Sequence, residues 1–202
     1  MKSHPIRSAA VLAMLVWMSA SAVIAEAPPK KTPMSPLQSQ MMQKMKDAAP
    51  GVAQKALGSL EGSWKTEQKI WLEPGQPTVT QGTCENRFVS GGRLLEQRMH
   101  GTLMNEPYEK LGLTGYDGRK NIYVTLWGDP RTNTIETYEG AADTAARELS
   151  VLGTGHGPDG KAAEVKLVTR WVDPERHMVS TYIVRDGNEE LMMETLYRRI
   201  AR

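Results

Sequence analysis

LGLTGYDGRKNIYVTLWGDP, residues 111–130, decides the fold. Asp117-Gly118 stands between two runs of strand formers, and Asp-Gly in that setting signals a hairpin, because both residue types accept the positive φ of a tight turn. The second run, Ile122-Tyr123-Val124-Thr125-Leu126-Trp127, is β-branched and aromatic, and such side chains suit a pleated surface better than a helix. Alternation puts Ile122, Val124 and Leu126 on one face and Tyr123, Thr125 and Trp127 on the other. Neither face is plainly polar, so the strand is expected to be covered on both sides.

Outward from this hairpin the same texture repeats from Gly62 to the end. Turn signals stand at Glu73-Pro74-Gly75, Gly91-Gly92, Gly128-Asp129-Pro130, Pro158-Asp159-Gly160, Asp173-Pro174 and Asp186-Gly187. They delimit about ten strands, at 63–72, 78–89, 94–103, 109–116, 121–127, 134–140, 147–154, 161–172, 177–185 and 190–199. The spacing leaves no room for crossover helices, so the strands are antiparallel neighbours. A twisted sheet of that many strands closes on itself to remove its edges. The expected fold is all-β, a single up-and-down antiparallel β-barrel.

What precedes it differs in kind. Lys2 and Arg7, the apolar run Ala9 to Met18 and the small residues before Glu26 read as a secretory signal peptide over residues 1–25. This implies an exported, periplasmic protein, or a fully secreted one. Residues 26–36, EAPPKKTPMSP, read as a flexible linker, and 37–57 as a helical segment with Leu37, Met41 and Met45 four residues apart. The barrel domain is then 58–202. The chain carries 25 Lys and Arg against 23 Asp and Glu; removing Lys2 and Arg7 with the leader leaves 23 against 23. A formally neutral mature chain with scattered basic residues gives no footprint for nucleic acid, and no stable membrane insertion is expected after cleavage. The Met-rich helix reads as a packing stripe in preference to a copper site. Cys84, the single cysteine, has no partner for an internal disulfide and reads as a half-buried strand residue.

Strand parity selects an interior. Trp64, Thr66, Gln68 and Ile70 face in on the first strand, Leu95, Gln97, Met99, Gly101 and Leu103 on the third, and Val165, Leu167, Thr169 and Trp171 on the eighth. Such a mixture of aliphatic, Met, Thr and Gln side chains suits a cavity with a few polar contacts. The ligand-lining set expected from sequence is Ile70, Leu95, Met99, Val124, Leu167, Trp171 and Tyr182, and the expected partner is a small, largely apolar molecule; the oligomeric state is left open.

Leu60-Glu61-Gly62-Ser63-Trp64, Gly91-Gly92-Arg93-Leu94-Leu95-Glu96, Leu113-Thr114-Gly115-Tyr116-Asp117, Val124-Thr125-Leu126-Trp127 and Met192-Met193-Glu194-Thr195-Leu196-Tyr197-Arg198 occur in that order. Together they resemble domain-of-unknown-function family 1579 over roughly residues 49–200. The resemblance implies a calycin-like, lipocalin-like barrel and no established activity. One departure is Gln54, where the family often has His, so any role of that His lapses here. The resemblance also suggests that Arg198 stacks on Trp64 to close one barrel end.

Signatures of zinc hydrolases, elbow serines, dithiol redox centres and P-loops are absent, and no catalytic residue, metal site or cofactor is assigned. Gly155, Gly157 and Gly160 match a dinucleotide fingerprint, but they lie in a turn entering a strand. His100, His156 and His177 read as solvated surface residues, which argues against haem. Asp117 is explained by its turn and Glu194 by the polar face. A cavity enzyme using a buried carboxylate or tyrosine is the alternative, and a filled barrel serving protein contacts is the third.

Overall fold

The computed structural model describes residues 33–103, 106–129 and 133–201. The leader and most of the linker read from the sequence lie outside them. The chain divides into two compact units, Met1–Met41 and Met42–Arg202. Helix α1 spans Pro36–Asp47, α2 spans Val52–Ala56, and a 3-10 turn follows at Leu57–Leu60. Gln54 anchors the start of α2, its Oε1 accepting the Gly51 N–H at 2.9 Å. No helix among the described residues is long and apolar enough to cross a membrane.

Ten strands follow: β1 Gly62–Ile70, β2 Thr78–Val89, β3 Leu94–Leu103, β4 Glu106–Asp117, β5 Ile122–Asp129, β6 Thr134–Asp143, β7 Glu148–His156, β8 Ala162–Asp173, β9 Arg176–Arg185 and β10 Asn188–Arg199. Each pairs antiparallel with the next, and β1 pairs with β10 from Trp64↔Arg199 to Ile70↔Met193, so the barrel is closed. Closure is what the turn spacing predicted. Two registers shift, between Leu191 and Met193 and between Trp171 and Asp173, and such bulges bend strands where a barrel must curve.

One end of the barrel is stoppered. Leu57 and Leu60 are buried in the same apolar cluster as Leu95, Tyr123 and Leu149. Trp64 Nε1 and Asn86 Nδ2 both donate to the Leu60 carbonyl, at 2.9 and 2.8 Å, and Tyr123 Oη donates to the Ala53 carbonyl at 2.9 Å. Above the stopper, Trp64 meets His177 edge-on at 4.4 Å, and His177 stacks on Tyr197 at 4.2 Å. The guanidinium over Trp64 belongs to Arg199, 4.1 Å from the ring centroid, and not to Arg198. Parity decides between them: inward Tyr197 forces Arg198 outward and returns Arg199 to the barrel end.

Two further sequence expectations are corrected. His177 is not a solvated turn residue; β9 begins at Arg176, so His177 is an inward strand position, 2% exposed. Asp117-Gly118 forms the hairpin turn without the positive φ expected of it. The Asp117 carboxylate instead accepts the N–H groups of Arg119 at 2.9 Å and Lys120 at 3.4 Å, and Asn121 takes the positive φ, 56°. The tight two-residue form occurs at Asp186-Gly187, where φ is 51° and 77°.

Candidate functional site

Strands about 4.8 Å apart and tilted about 40° place the wall of a ten-strand barrel about 10 Å from its axis. Inward side chains fill about 5 Å of that, half the usual distance between packed sheets. Small inward residues therefore fill less of the section than large ones do. The stoppered end has large ones. Toward the other end the inward positions include Gly82, Gly101, Gly112, Gly155 and Ala163, and the inward Leu167 and Met193 are only half-buried despite lying within strands.

The lining is two-sided. On β1 to β5 and β10 it is hydrogen-bonding: Gln68 Nε2 donates to Thr195 Oγ1 at 3.2 Å, Tyr108 Oη donates to Gln68 Oε1 at 2.5 Å, and Thr114 Oγ1 bonds Gln97 Oε1 at 3.3 Å and Thr125 Oγ1 at 3.1 Å. On β6 to β9 the apolar Tyr138, Leu149, Val151, Val165 and Ile183 are buried together, with Glu136, Thr181 and His177 as inward polar residues among them. A cavity of about 660 Å³ opens at the unstoppered end, between the turn after β1, the turn after β7 and the ends of β9 and β10. Trp71, Leu72, Ile183 and Met192 give it apolar surface, and Glu73, Asp159, Arg185 and Glu190 charge its edge.

Sequence reasoning missed one polar group at this open end. Glu136 Oε2 accepts the Tyr138 hydroxyl at 2.7 Å, and Glu136 Oε1 lies 3.1 Å from His156 Nδ1. Burial, and then the hydrogen bond to Glu136, push the Tyr138 phenol well above its ordinary range, so it stays protonated and donates. Gly155 makes room for the group: a Cβ there would stand 2.8 Å from Tyr138 Oη and 3.3 Å from Glu136 Oε1. Alternation along β6 assigns Glu136 inward beside Tyr138, which is the signal that would have found it. His156 is thus not the free surface residue expected, whereas His100 is exposed. Among the described residues no three His, Cys, Asp or Glu side chains gather as metal ligands. The Gly155–Gly160 glycines lie in β7 and its turn, with Gly157 N–H bonded to the Lys161 carbonyl at 2.9 Å.

The seven lining candidates do not converge on one pocket. Ile70, Leu95, Met99, Leu167 and Trp171 sit on inward positions. Leu95 and Trp171 pack in the larger core cluster, while Met99 packs with Trp64, Cys84 and Tyr197. Val124 and Tyr182 are corrections. Tyr123 and Thr125 are buried, so Val124 between them points outward; Ile183 is buried, so Tyr182 points outward as well. None of the seven lines the 660 Å³ cavity.

Comparison with known proteins agrees with this architecture. The model of a family described as a protein of unknown function (DUF1579) matches residues 49–199. No curated protein matches the chain. Among solved structures, the crystal structure of Rv2717c from M. tuberculosis is similar, with a TM-score of 0.55 at 14% identity over 75% of this chain and 99% of that one. A redesigned β-barrel, b11L5F_LGL, gives a TM-score of 0.39 at 12% identity over 72% of this chain and 96% of that one. The structure of EF1p2_mFAP2b bound to DFHBI gives 0.39 at 10% identity over 73% and 98%.

Proposed function

The chain belongs to the DUF1579 family, an uncharacterised family whose match covers the barrel, and on that footing we propose that it is an exported, calycin-like carrier. It takes a small, largely apolar ligand into the barrel through the unstoppered end. One observation carries the reading: a closed ten-strand wall is bolted shut at one end and opens at the other into a cavity of about 660 Å³ with apolar surface from Trp71, Ile183 and Met192. That volume lies within the usual range of small-molecule sites. The charged leader ahead of a small-residue cleavage site supports export to the periplasm.

Native mass spectrometry of the mature protein, isolated from its own periplasm without detergent, tests the reading. A reproducible excess mass released on denaturation is expected. A bare protein mass, with no thermal shift from a panel of apolar ligands at saturating concentration, would sink it. A second reading, proton-transfer catalysis in the cavity, is favoured by one arrangement: Glu136 backs the His156 imidazole at 3.1 Å while Tyr138 holds the carboxylate. Turnover of a bound ligand abolished by Glu136→Gln is its mark.

A further inference from the structure

The cavity of about 660 Å³ at the unstoppered end is lined by two kinds of side chain. Trp71, Leu72, Ile183 and Met192 offer apolar surface, and Glu73, Asp159, Glu190 and Arg185 charge the edge. Aromatic rings elsewhere in the barrel take no part. Tyr108 packs over Gly101, Trp127 over Gly112 and Tyr138 over Gly153, within the wall, and none of these three rings lines the cavity.

Three carboxylates on the edge stand against one guanidinium. Two of the three have a cation nearby. Glu190 Oε2 lies 3.9 Å from Arg185 Nη1, with both side chains mostly exposed, and Asp159 Oδ2 lies 3.7 Å from Lys161 Nζ. Such long, solvated pairs hold their partners weakly. Glu73 has no cation at ion-pair distance among the described residues. It shares its turn with Trp71, two residues earlier, whose N–H donates to the Met192 carbonyl at 2.9 Å and so ties the turn to the apolar side of the cavity. An uncompensated carboxylate thus stands near an indole at the edge of an apolar space.

The sign of this edge is local, because the chain without its leader is formally neutral and its overall field favours neither charge. A neutral apolar guest would use the Trp71, Ile183 and Met192 surface and gain nothing from the edge. An anionic head would meet an excess of like charge. An ammonium would meet an unpaired carboxylate and the electron-rich face of an indole, two attractions that act on the same cation.

We propose that the ligand is an amphiphilic organic cation, its apolar body against Trp71, Ile183 and Met192 and its ammonium group held at the edge by Glu73 and the Trp71 ring. The proposal rests on the carrier reading. The carboxylates do not make the site; the apolar cavity does, and they select the sign of what enters it.

Octylammonium, 1-octanol and octanoate share one alkyl chain and differ in the charge of the head group at neutral pH. Equilibrium dialysis of the mature protein against each at low ionic strength is expected to show octylammonium bound about three- to tenfold more tightly than octanol, and octanoate bound most weakly. Glu73→Gln, which keeps the size of the side chain and removes its charge, is expected to lower the octylammonium-to-octanol ratio about twofold or more. Arg185→Gln should raise that ratio, and it serves if Glu73→Gln fails to fold by circular dichroism. Equal affinities for octylammonium and octanol, or tighter binding of octanoate, would leave the carrier reading standing and overturn the cation inference. A ratio that is the same in the wild type and in both folded variants overturns it too. Binding of none of the three probes at saturating concentration removes the carrier reading and the inference together.

Discussion

Lowering the pH from 7 to 5 should weaken this barrel through one buried imidazole. His177 is 2% exposed, stacked on Tyr197 and edge-on to Trp64, over whose ring the Arg199 guanidinium also sits. Burial, and then the Arg199 charge, depress its pKa from the ordinary 6.5 to about 3. Between those values the unfolded chain binds a proton that the folded chain does not, so stability is lost as the pH falls. At pH 7 the difference is small; at pH 5 it comes to about 2 kcal/mol, and it keeps growing toward pH 3. For a domain of this size that is a drop of about 4–8 °C in Tm. Asp117, Asp159 and Asp173 are held below their ordinary 3.8 and Glu96 below its 4.5, so they lose their contributions only at lower pH and leave this window clear. His177→Phe keeps an aromatic ring in the stack, and His177 Nδ1 has no hydrogen-bond partner among the described residues to forfeit. Urea unfolding at both pH values should show the wild type losing about 2 kcal/mol more than His177→Phe. Parallel losses in the two proteins would refute the assignment of His177 as a neutral, buried base.

Other predictions follow from the same contacts. Arg199→Lys gives up the stacked plane and the forked bonds to the Ser59 and Glu61 carbonyls, both 2.8 Å, and should cost about 1–3 kcal/mol, whereas exposed Arg198→Lys should stay within about 0.5 kcal/mol; equal effects in denaturant melts would return the closing role to Arg198. Gly155→Ala drives a methyl against Tyr138 Oη and Val165 Cγ2, at 2.8 and 3.0 Å, and should destabilise by about 1–3 kcal/mol, while Gly118→Ala, with nothing within 4 Å, should be nearly silent in a thermal melt. Burial raises the Cys84 thiol to about 12, so the native protein should resist a thiol-labelling reagent at pH 8 and react once denatured.

Most of the frame was legible because barrels obey a period of two. The parity read for β1 and β3 matches the buried faces, since in those strands charged residues mark the outside: Lys65, Glu67 and Lys69 on β1, Glu96 and Arg98 on β3. Val124 went wrong for the opposite reason. Both faces of β5 are apolar, so nothing in the strand itself says which is in, and only the hydrogen-bonded pair Thr114–Thr125 at the barrel interior reveals it. Arg198 and Arg199 differ by one residue, and a one-residue error reverses the face. His177 was read as solvated because it opens a strand beside a turn, whereas β9 starts at Arg176 and parity turns His177 inward. The cavity could not be read from lining candidates at all, because half of its wall is turn: Trp71 to Pro74 and Pro158–Asp159 are placed by closure of the barrel, not by strand alternation. The Glu136 cluster joins β6 to the end of β7 and needs Gly155 between them, a relation visible only once those strands are in register.

Large and small inward residues are separated along the barrel axis, and the glycines show how. At the stoppered end, side chains meet across the axis: Leu57, Leu60, Trp64, Tyr197 and His177 fill the section and are each at most 4% exposed. Toward the mouth, an inward glycine opposite an inward ring lets the wall carry an aromatic without narrowing the lumen, so the strands there are stabilised by neighbour-to-neighbour contact and not by contact across the axis. A cross-axis core would have closed the space; a wall of small residues alone would have left its backbone poorly covered. Ring over glycine satisfies both demands at once. The open half can then change its lining without loosening the bolted end, because Trp64, Asn86, Tyr123 and Arg199 tie the wall to the stopper by bonds that no mouth residue shares.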